Sequence, residues 1–143
     1  MKALLSFVLV VVALGVSGCS SDSDGGILTA PTINVAFSTL DLRPGTGAEA
    51  AVGRNITINY NGWVYDSAGT DNKGSRFDAG TFSITLPGNV IPGFSQGIVG
   101  MRVGGLRRIT IPPNLAYGNS PPAGSGIRRN ETLIFEVELV SVQ

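Results

Sequence analysis

The run from residue 90 to residue 118 constrains the fold of this chain more than any other segment. It reads VIPGFSQGIVGMRVGGLRRITIPPNLAYG. Pro92 suits the first turn of a helix, and residues 92–101 are the one helix candidate. The three glycines of that candidate each cost about 1 kcal/mol relative to alanine in a helix interior, so the pattern alone favours a loop. Residues 105–111 predict a strand that ends at Pro112-Pro113.

Three further segments have an apolar side chain at every second position, which is the period of a strand with one buried face. They are residues 55–60, 81–86 and 133–139. The last is the clearest, because Leu133, Phe135, Val137 and Leu139 share one face while glutamates occupy the other. A sheet with one polar and one covered face is expected to be antiparallel.

Composition excludes several classes of function. The 143 residues suffice for one domain, and 43% hydrophobic against 14% charged residues excludes a disordered polyampholyte. Ten basic and ten acidic side chains cancel, which gives no case for nucleic acid as a partner. Histidine is absent, which removes His-based triads, most zinc sites and the usual proton shuttle.

The N-terminal residues predict export and lipidation. Residues 1–18 combine Lys2 with an apolar stretch too short for a comfortable membrane span, as in a signal peptide. The segment Val16-Ser17-Gly18-Cys19 is similar to a bacterial lipobox, in which Cys19 would be lipidated and become the new N-terminus. An ordinary secretory signal with an incidental cysteine is the alternative. Cys19 is the only cysteine, so no disulfide explains it.

A lipid anchor at Cys19 would attach the mature chain to a membrane leaflet. Residues 19–32, rich in Ser, Asp and Gly, predict a flexible tether, and residues 33–143 predict the folded domain. Ser20 follows the cysteine, which by similarity to Gram-negative lipoproteins favours the outer membrane with the domain facing the periplasm.

Four segments together resemble the FKBP-type peptidyl-prolyl cis-trans isomerases, from about Phe37 to Gln143. They are residues 90–118, INYNGWVY at 58–65, SRFDAG at 75–80 and ETLIFEVEL at 131–139. The resemblance implies an α+β fold, in which a curved five-stranded antiparallel sheet wraps around one short helix. Tertiary packing would then have to stabilise residues 92–101 as a helix against their low propensity.

The implied reaction breaks no bond. Rotation about an X-Pro bond is opposed by amide resonance with a barrier of about 18–20 kcal/mol. The twisted amide is less dipolar than the planar one, so a dry aromatic pocket that holds the twisted form favours the transition state. A chain without histidine can do this, and the resemblance implies no metal or organic cofactor.

The resemblance also implies a site of ten residues. Those with catalytic roles are Tyr60, Phe77, Asp78, Tyr117 and Phe135; those that bind substrate are Phe82, Val90, Ile91, Phe94 and Ile127. Phe94 would form the floor beneath the proline ring, where the family more often has Trp. The backbone N–H of Ile91 and the hydroxyl of Tyr117 would hydrogen-bond the bound peptide. Each aromatic residue alone would more often be plain core, so the interpretation depends on their joint placement.

Asp78 is the one ionisable group of the implied site. An aspartate here commonly caps a turn by bonding nearby backbone, whereas the resemblance places its carboxylate at the pocket edge, close to the reacting amide. The sequence offers no basic partner for it, since residues 79–81 are short where many relatives carry a longer loop with basic residues.

The loop after Tyr117 departs from the family pattern, with Arg128-Arg129 where a Pro-Pro pair is common and only Ile127 apolar near its end. An arginine pair is usually a solvated surface. The competing hypothesis is that it favours peptides with acidic neighbours of the proline.

The function predicted from these residues is a lipid-anchored, monomeric prolyl isomerase that acts on unfolded or exported polypeptides containing proline. A macrolide of the rapamycin type would fill the same pocket. One alternative is a chaperone or adaptor that binds proline-containing segments with little turnover. Another is a structural lipoprotein with a disused pocket, which the six aromatics at pocket positions disfavour.

Overall fold

The computed structural model describes residues 35–143, so the predicted signal peptide, tether and Cys19 lie outside the described residues. Two short 3₁₀ turns occupy Thr70–Asn72 and Pro113–Leu115. The strands and the one α-helix in this part of the chain are β1 (Ser38–Arg43), β2 (Asn55–Tyr65), β3 (Lys73–Thr85), α1 (Pro92–Ile98), β4 (Leu106–Ile111) and β5 (Leu133–Val142).

The five strands form one antiparallel sheet in the order β1-β4-β5-β2-β3. The predicted α+β fold with five antiparallel strands and one short helix is confirmed. Three of the strands, β2, β3 and β5, contain the segments whose alternation was read from the sequence, and β4 covers the strand predicted over residues 105–111. All six residues of β1 are exposed, including the alternate Leu40 and Leu42, and this strand was not predicted from the sequence.

The core lies between one face of the sheet and α1. Ile56 and Ile58 of β2, Ile109 and Ile111 of β4 and Ile98 of α1 are fully buried there. The alternation predicted for β5 holds at Leu133, Phe135, Val137 and Leu139, all buried. Within the part of the chain described here, no helix is long and apolar enough to cross a membrane.

The helix α1 is shorter than the candidate 92–101, because Val99 leaves the helical region and Gly100 has a φ of +84°. Its glycines permit close packing on β4. A Cβ on Gly97 would lie 2.5 Å from Cγ2 of Ile109, and one on Gly93 would collide with Cγ2 of Ile111. Close contact with two buried isoleucines therefore requires the residues that weaken the helix, and packing overrides propensity.

Arg107 of β4 supports the C-terminal end of α1. Its Nη1 donates to the carbonyl oxygens of Gly97 at 3.0 Å and of Val99 at 3.3 Å, two groups that a helix end leaves unpaired. The same guanidinium bonds both carboxylate oxygens of Asp41 and thereby lowers the pKa of Asp41. Arg107 thus links β1, β4 and α1.

On the sheet face opposite the core, an ion network fixes the connection between β2 and β3. Glu136 accepts from Lys73 at 2.6 Å and from Arg108 at 2.9 Å, and Arg108 also bonds Asp71 at 3.0 Å. The Nζ atom of Lys73 lies 4.5 Å from the ring centroid of Trp63. These contacts tie the connection between β2 and β3 to the sheet.

Candidate functional site

A cavity of about 220 Å³ opens at the core side of the sheet, next to the start of α1. Nine of the ten residues predicted for the site line it, and Asn89 is the one lining residue that the sequence did not indicate. The lining residues are Tyr60, Phe77, Asp78, Phe82, Asn89, Val90, Ile91, Phe94, Tyr117 and Phe135.

Phe94, which the resemblance assigns to the pocket floor, is the most buried ring of the cavity lining. Its side chain is 3% exposed, and its ring centroid lies 4.9 Å from that of Phe135 in an edge-to-face arrangement. The rings of Tyr60 and Phe82 lie 6.1 and 6.2 Å away. Aromatic rings at these spacings attract one another through their quadrupoles, so the four side chains hold a fixed apolar surface.

Phe77 and Phe135 form a wall, with ring centroids 5.5 Å apart and nearly perpendicular. Gly62 of β2 leaves room for both rings. A Cβ at Gly62 would lie 2.8 Å from Cζ of Phe77 and 2.9 Å from Cε1 of Phe135. A glycine inside a strand often marks a close approach of another group. This signal was present at Gly62, but the alternation of apolar side chains did not identify Gly62 as part of the site.

Asp78 bonds nearby backbone and also lines the cavity. Its Oδ1 accepts the N–H of Ala79 at 2.9 Å, as a turn aspartate does, and its Oδ2 accepts the Tyr60 hydroxyl at 2.7 Å at the cavity edge. Both partners are neutral, and no basic side chain forms an ion pair with Asp78 within residues 35–143. The carboxylate is therefore held in place by hydrogen bonds and not by a cation.

The two tyrosines of the site remain neutral over the physiological range. Burial, and then the hydrogen bond to Asp78, raises the pKa of Tyr60 to about 12. Burial, and then the charge of Asp78, raises the pKa of Tyr117. Among the described residues the Tyr117 hydroxyl has no hydrogen-bond partner, and the same holds for the backbone N–H of Ile91. Both groups can therefore donate to an added ligand.

Ile127, predicted to bind substrate, does not line the cavity. It is 8% exposed and belongs to the hydrophobic core. Arg128 lines a different cavity, together with Asp66 and Glu131. Its backbone N–H donates to Glu131 at 2.6 Å, while its guanidinium stays 89% exposed and 3.8 Å from the same carboxylate. This placement does not favour the hypothesis that Arg128 selects acidic neighbours of a bound proline.

The arrangement can bind an apolar ring and hydrogen-bond the groups beside it. It has an aromatic floor, neutral donors and one carboxylate at its edge. Within residues 35–143 no three His, Cys, Asp or Glu side chains cluster as metal ligands would. The chemistry that this site supports is stabilisation of a bound conformation, which needs neither a nucleophile nor a proton acceptor.

Replacing Tyr60 by phenylalanine is expected to change how stability depends on pH. The pKa of Tyr60 is about 10 in the unfolded chain and about 12 in the folded one. Between these values the unfolded chain loses the proton and the folded one keeps it, so the free energy of unfolding falls as the pH rises. The Tyr60→Phe protein has no ionisable group at this position, so its free energy of unfolding should fall less over the same pH range. Urea denaturation at about pH 9 and about pH 11 measures it. An equal loss of stability in both proteins would contradict the assigned burial and hydrogen bond.

Comparisons with known proteins find similar sequences. A family model described as FKBP-type peptidyl-prolyl cis-trans isomerase matches residues 47–140. The FK506-binding protein of Neisseria meningitidis serogroup B is 41% identical over 102 residues, which cover 71% of this chain and 92% of that protein. The FK506-binding protein of Streptomyces anulatus is 38% identical over 109 residues, which cover 71% and 82%.

Solved structures show the same fold. A peptidyl-prolyl cis-trans isomerase from Pseudomonas syringae pv. tomato superposes with a TM-score of 0.63 at 28% identity, covering 75% of each chain. FkpA from Escherichia coli superposes with a TM-score of 0.62 at 32% identity, covering 75% of this chain and 48% of that one.

Proposed function

This chain belongs to the FKBP-type peptidyl-prolyl cis-trans isomerase family and is an isomerase of that type. We propose that its role is to accelerate rotation about X-Pro bonds in exported proteins. The observation that supports its mechanism is the aromatic cavity with Phe94 at its floor and a single carboxylate, Asp78, at its edge. The twisted amide of an X-Pro bond is the ligand that such a cavity would favour.

In this proposal the proline ring rests on Phe94 between Phe77 and Phe135. The planar amide is more dipolar than the twisted one, so transfer from water into an apolar site penalises the ground state more than the transition state. The free donors of Ile91 and Tyr117 would hold the carbonyl groups on either side of the rotating bond. Asp78 acts through its charge near the amide and does not remove a proton.

The chaperone or adaptor alternative uses the same cavity without turnover. The fixed hydroxyl–carboxylate pair of Tyr60 and Asp78 argues against it, because a cavity that only buried a proline ring would need neither group. The test is refolding of an exported protein whose slow phase is X-Pro isomerisation, which takes tens to hundreds of seconds uncatalysed. Acceleration by catalytic amounts supports the proposal. Binding of the unfolded protein without acceleration would favour the alternative.

The proposal includes a lipid anchor at Cys19, with the domain in the periplasm and attached to the outer membrane. It is supported by the lipobox-like Val16-Ser17-Gly18-Cys19 and by Ser20. Cys19→Ser is expected to abolish incorporation of labelled palmitate and to release the protein into the soluble envelope fraction. A protein that keeps its membrane attachment after this change would contradict the anchor and leave the isomerase assignment untouched.

A further inference from the structure

The strand β3 has a long free edge beside the cavity. It runs without interruption through residues 79–81 to Thr85. β3 is the last strand of the sheet and pairs only with β2 among residues 35–143. Its backbone on the outer side therefore presents donors and acceptors that no described strand uses.

The hydrogen-bond pattern identifies which residues face outward. The N–H of Leu86 donates to Arg54 and the N–H of Asn55 donates to Gln143, so even-numbered residues of β2 bond towards β3 and odd-numbered ones towards β5. In the register Ile58↔Phe82, the even-numbered residues of β3 then bond inward. Because backbone groups alternate in an antiparallel ladder, Thr81 and Ser83 point their N–H and C=O groups away from the sheet.

These two residues are held in place on the sheet. The Thr81 hydroxyl donates to Asn59 at 2.6 Å, and the Ser83 hydroxyl lies 2.7 Å from that of Thr57. Both residues are exposed. Their outward groups are two residues apart, about 6.6–6.8 Å along the strand, which is the repeat that an added strand requires.

The second half of the β3 edge, residues 79–85, lacks the charged residues and prolines that usually prevent a free edge from pairing with another chain. Residues 79–85, AGTFSIT, contain no charged residue and no proline. The opposite edge strand, β1, contains Asp41 and Arg43 and has a register shift between them. Charges and bulges discourage pairing with another chain. The first half of β3 has both, with Lys73, Arg76 and Asp78 and two register shifts, so residues 79–85 are the part of the edge that remains open to pairing.

We propose that residues 79–85 of β3 pair, backbone to backbone, with an extended segment of the client next to its X-Pro bond. Phe82 connects the two sites, because its side chain lines the cavity while its backbone lies between the outward-facing Thr81 and Ser83. Strand addition gives affinity through the main chain and asks for no particular client sequence. The inference rests on the proposed isomerase function.

The test replaces Ser83 by proline, which removes one outward N–H and is tolerated at an edge. Ser83→Pro is expected to lower kcat/KM about tenfold on a long unfolded polypeptide containing proline and less than about twofold on a tetrapeptide. Ser83→Ala is the matched control, since it loses the hydroxyl and keeps the N–H, and it should behave as the wild type. Equal effects of Ser83→Pro on both substrates would overturn the proposal.

Amide hydrogen exchange in the wild-type protein tests the same contact without a variant. Exchange at Thr81 and Ser83 should slow when the long unfolded polypeptide is added and stay unchanged with the tetrapeptide. Unchanged exchange with both would overturn the proposal. So would slowing that increases with the protein's own concentration, which would assign the edge to a second copy. Wild-type turnover of the tetrapeptide reports on the isomerase function separately.

Discussion

Phe94→Ala is expected to remove most of the activity and a large part of the stability. The residue is 3% exposed, and its ring lies against three of the other rings of the pocket, those of Tyr60, Phe82 and Phe135. Truncating a buried phenylalanine to alanine costs about 3–5 kcal/mol. A bound proline ring also loses its floor, a contact worth about 1.5–3 kcal/mol, or about 10- to 100-fold in kcat/KM.

Urea denaturation and peptide isomerisation measure the two effects. Phe94→Leu is the matched control, because it keeps an apolar floor with a smaller volume and should retain more of both properties. Phe94→Trp restores the residue more common in the family and should also remain active. If the folded Phe94→Ala protein kept wild-type kcat/KM, Phe94 would not be the floor of the functional pocket.

Gly97→Ala is expected to destabilise the domain although alanine is the better helix former. The gain in propensity is about 1 kcal/mol. The three atoms nearest to the added Cβ, at 2.5, 2.6 and 2.9 Å, all belong to the fully buried Ile109. Overpacking of this kind costs about 1–3 kcal/mol, so the steric term is expected to prevail and to displace α1 together with Phe94.

The comparison variant is Gln96→Ala, in the same helix but exposed, where only propensity should change. We expect a higher urea midpoint than wild type for Gln96→Ala or no change, and a lower one for Gly97→Ala. Activity of Gly97→Ala should fall as well, because the floor residue moves. A Gly97→Ala protein more stable than the wild type would show that α1 does not pack on β4 as closely as described.

Alternation was sufficient to predict the inward faces of β2, β3 and β5, because every second side chain of the three alternating segments is turned towards the core. β4 was predicted as a strand by its end at Pro112-Pro113. β1 was not predicted, because only two alternate apolar residues, Leu40 and Leu42, mark it, and both are exposed. At α1 the low helix propensity of three glycines favoured a loop. Helix propensity is a local quantity, and the helix depends on a non-local one, the contact of Gly93 and Gly97 with isoleucines of β4.

The candidate site was predicted largely through resemblance, because no single residue in it carries a recognisable reactive pattern. Nine predicted residues line the cavity. Asn89 was missed because an exposed residue in a connection has no period to mark it. Ile127 lies in the core instead, since its position was inferred from a loop whose neighbours differ from the family pattern. Gly62 contributes to the site because it has no side chain, which leaves room for the rings of Phe77 and Phe135. This role can be recognised only when the positions of the two rings are known.

The measurement that tests the central claim most directly is NMR exchange between the cis and trans forms of an Ala-Leu-Pro-Phe peptide. The chain from Ser20 onward is added in catalytic amount, and its fold is checked in the same sample. We expect exchange far faster than the uncatalysed tens to hundreds of seconds, and rapamycin should abolish the acceleration by filling the cavity around Phe94. Unchanged exchange in the presence of the folded protein would contradict the isomerase mechanism assigned to this site.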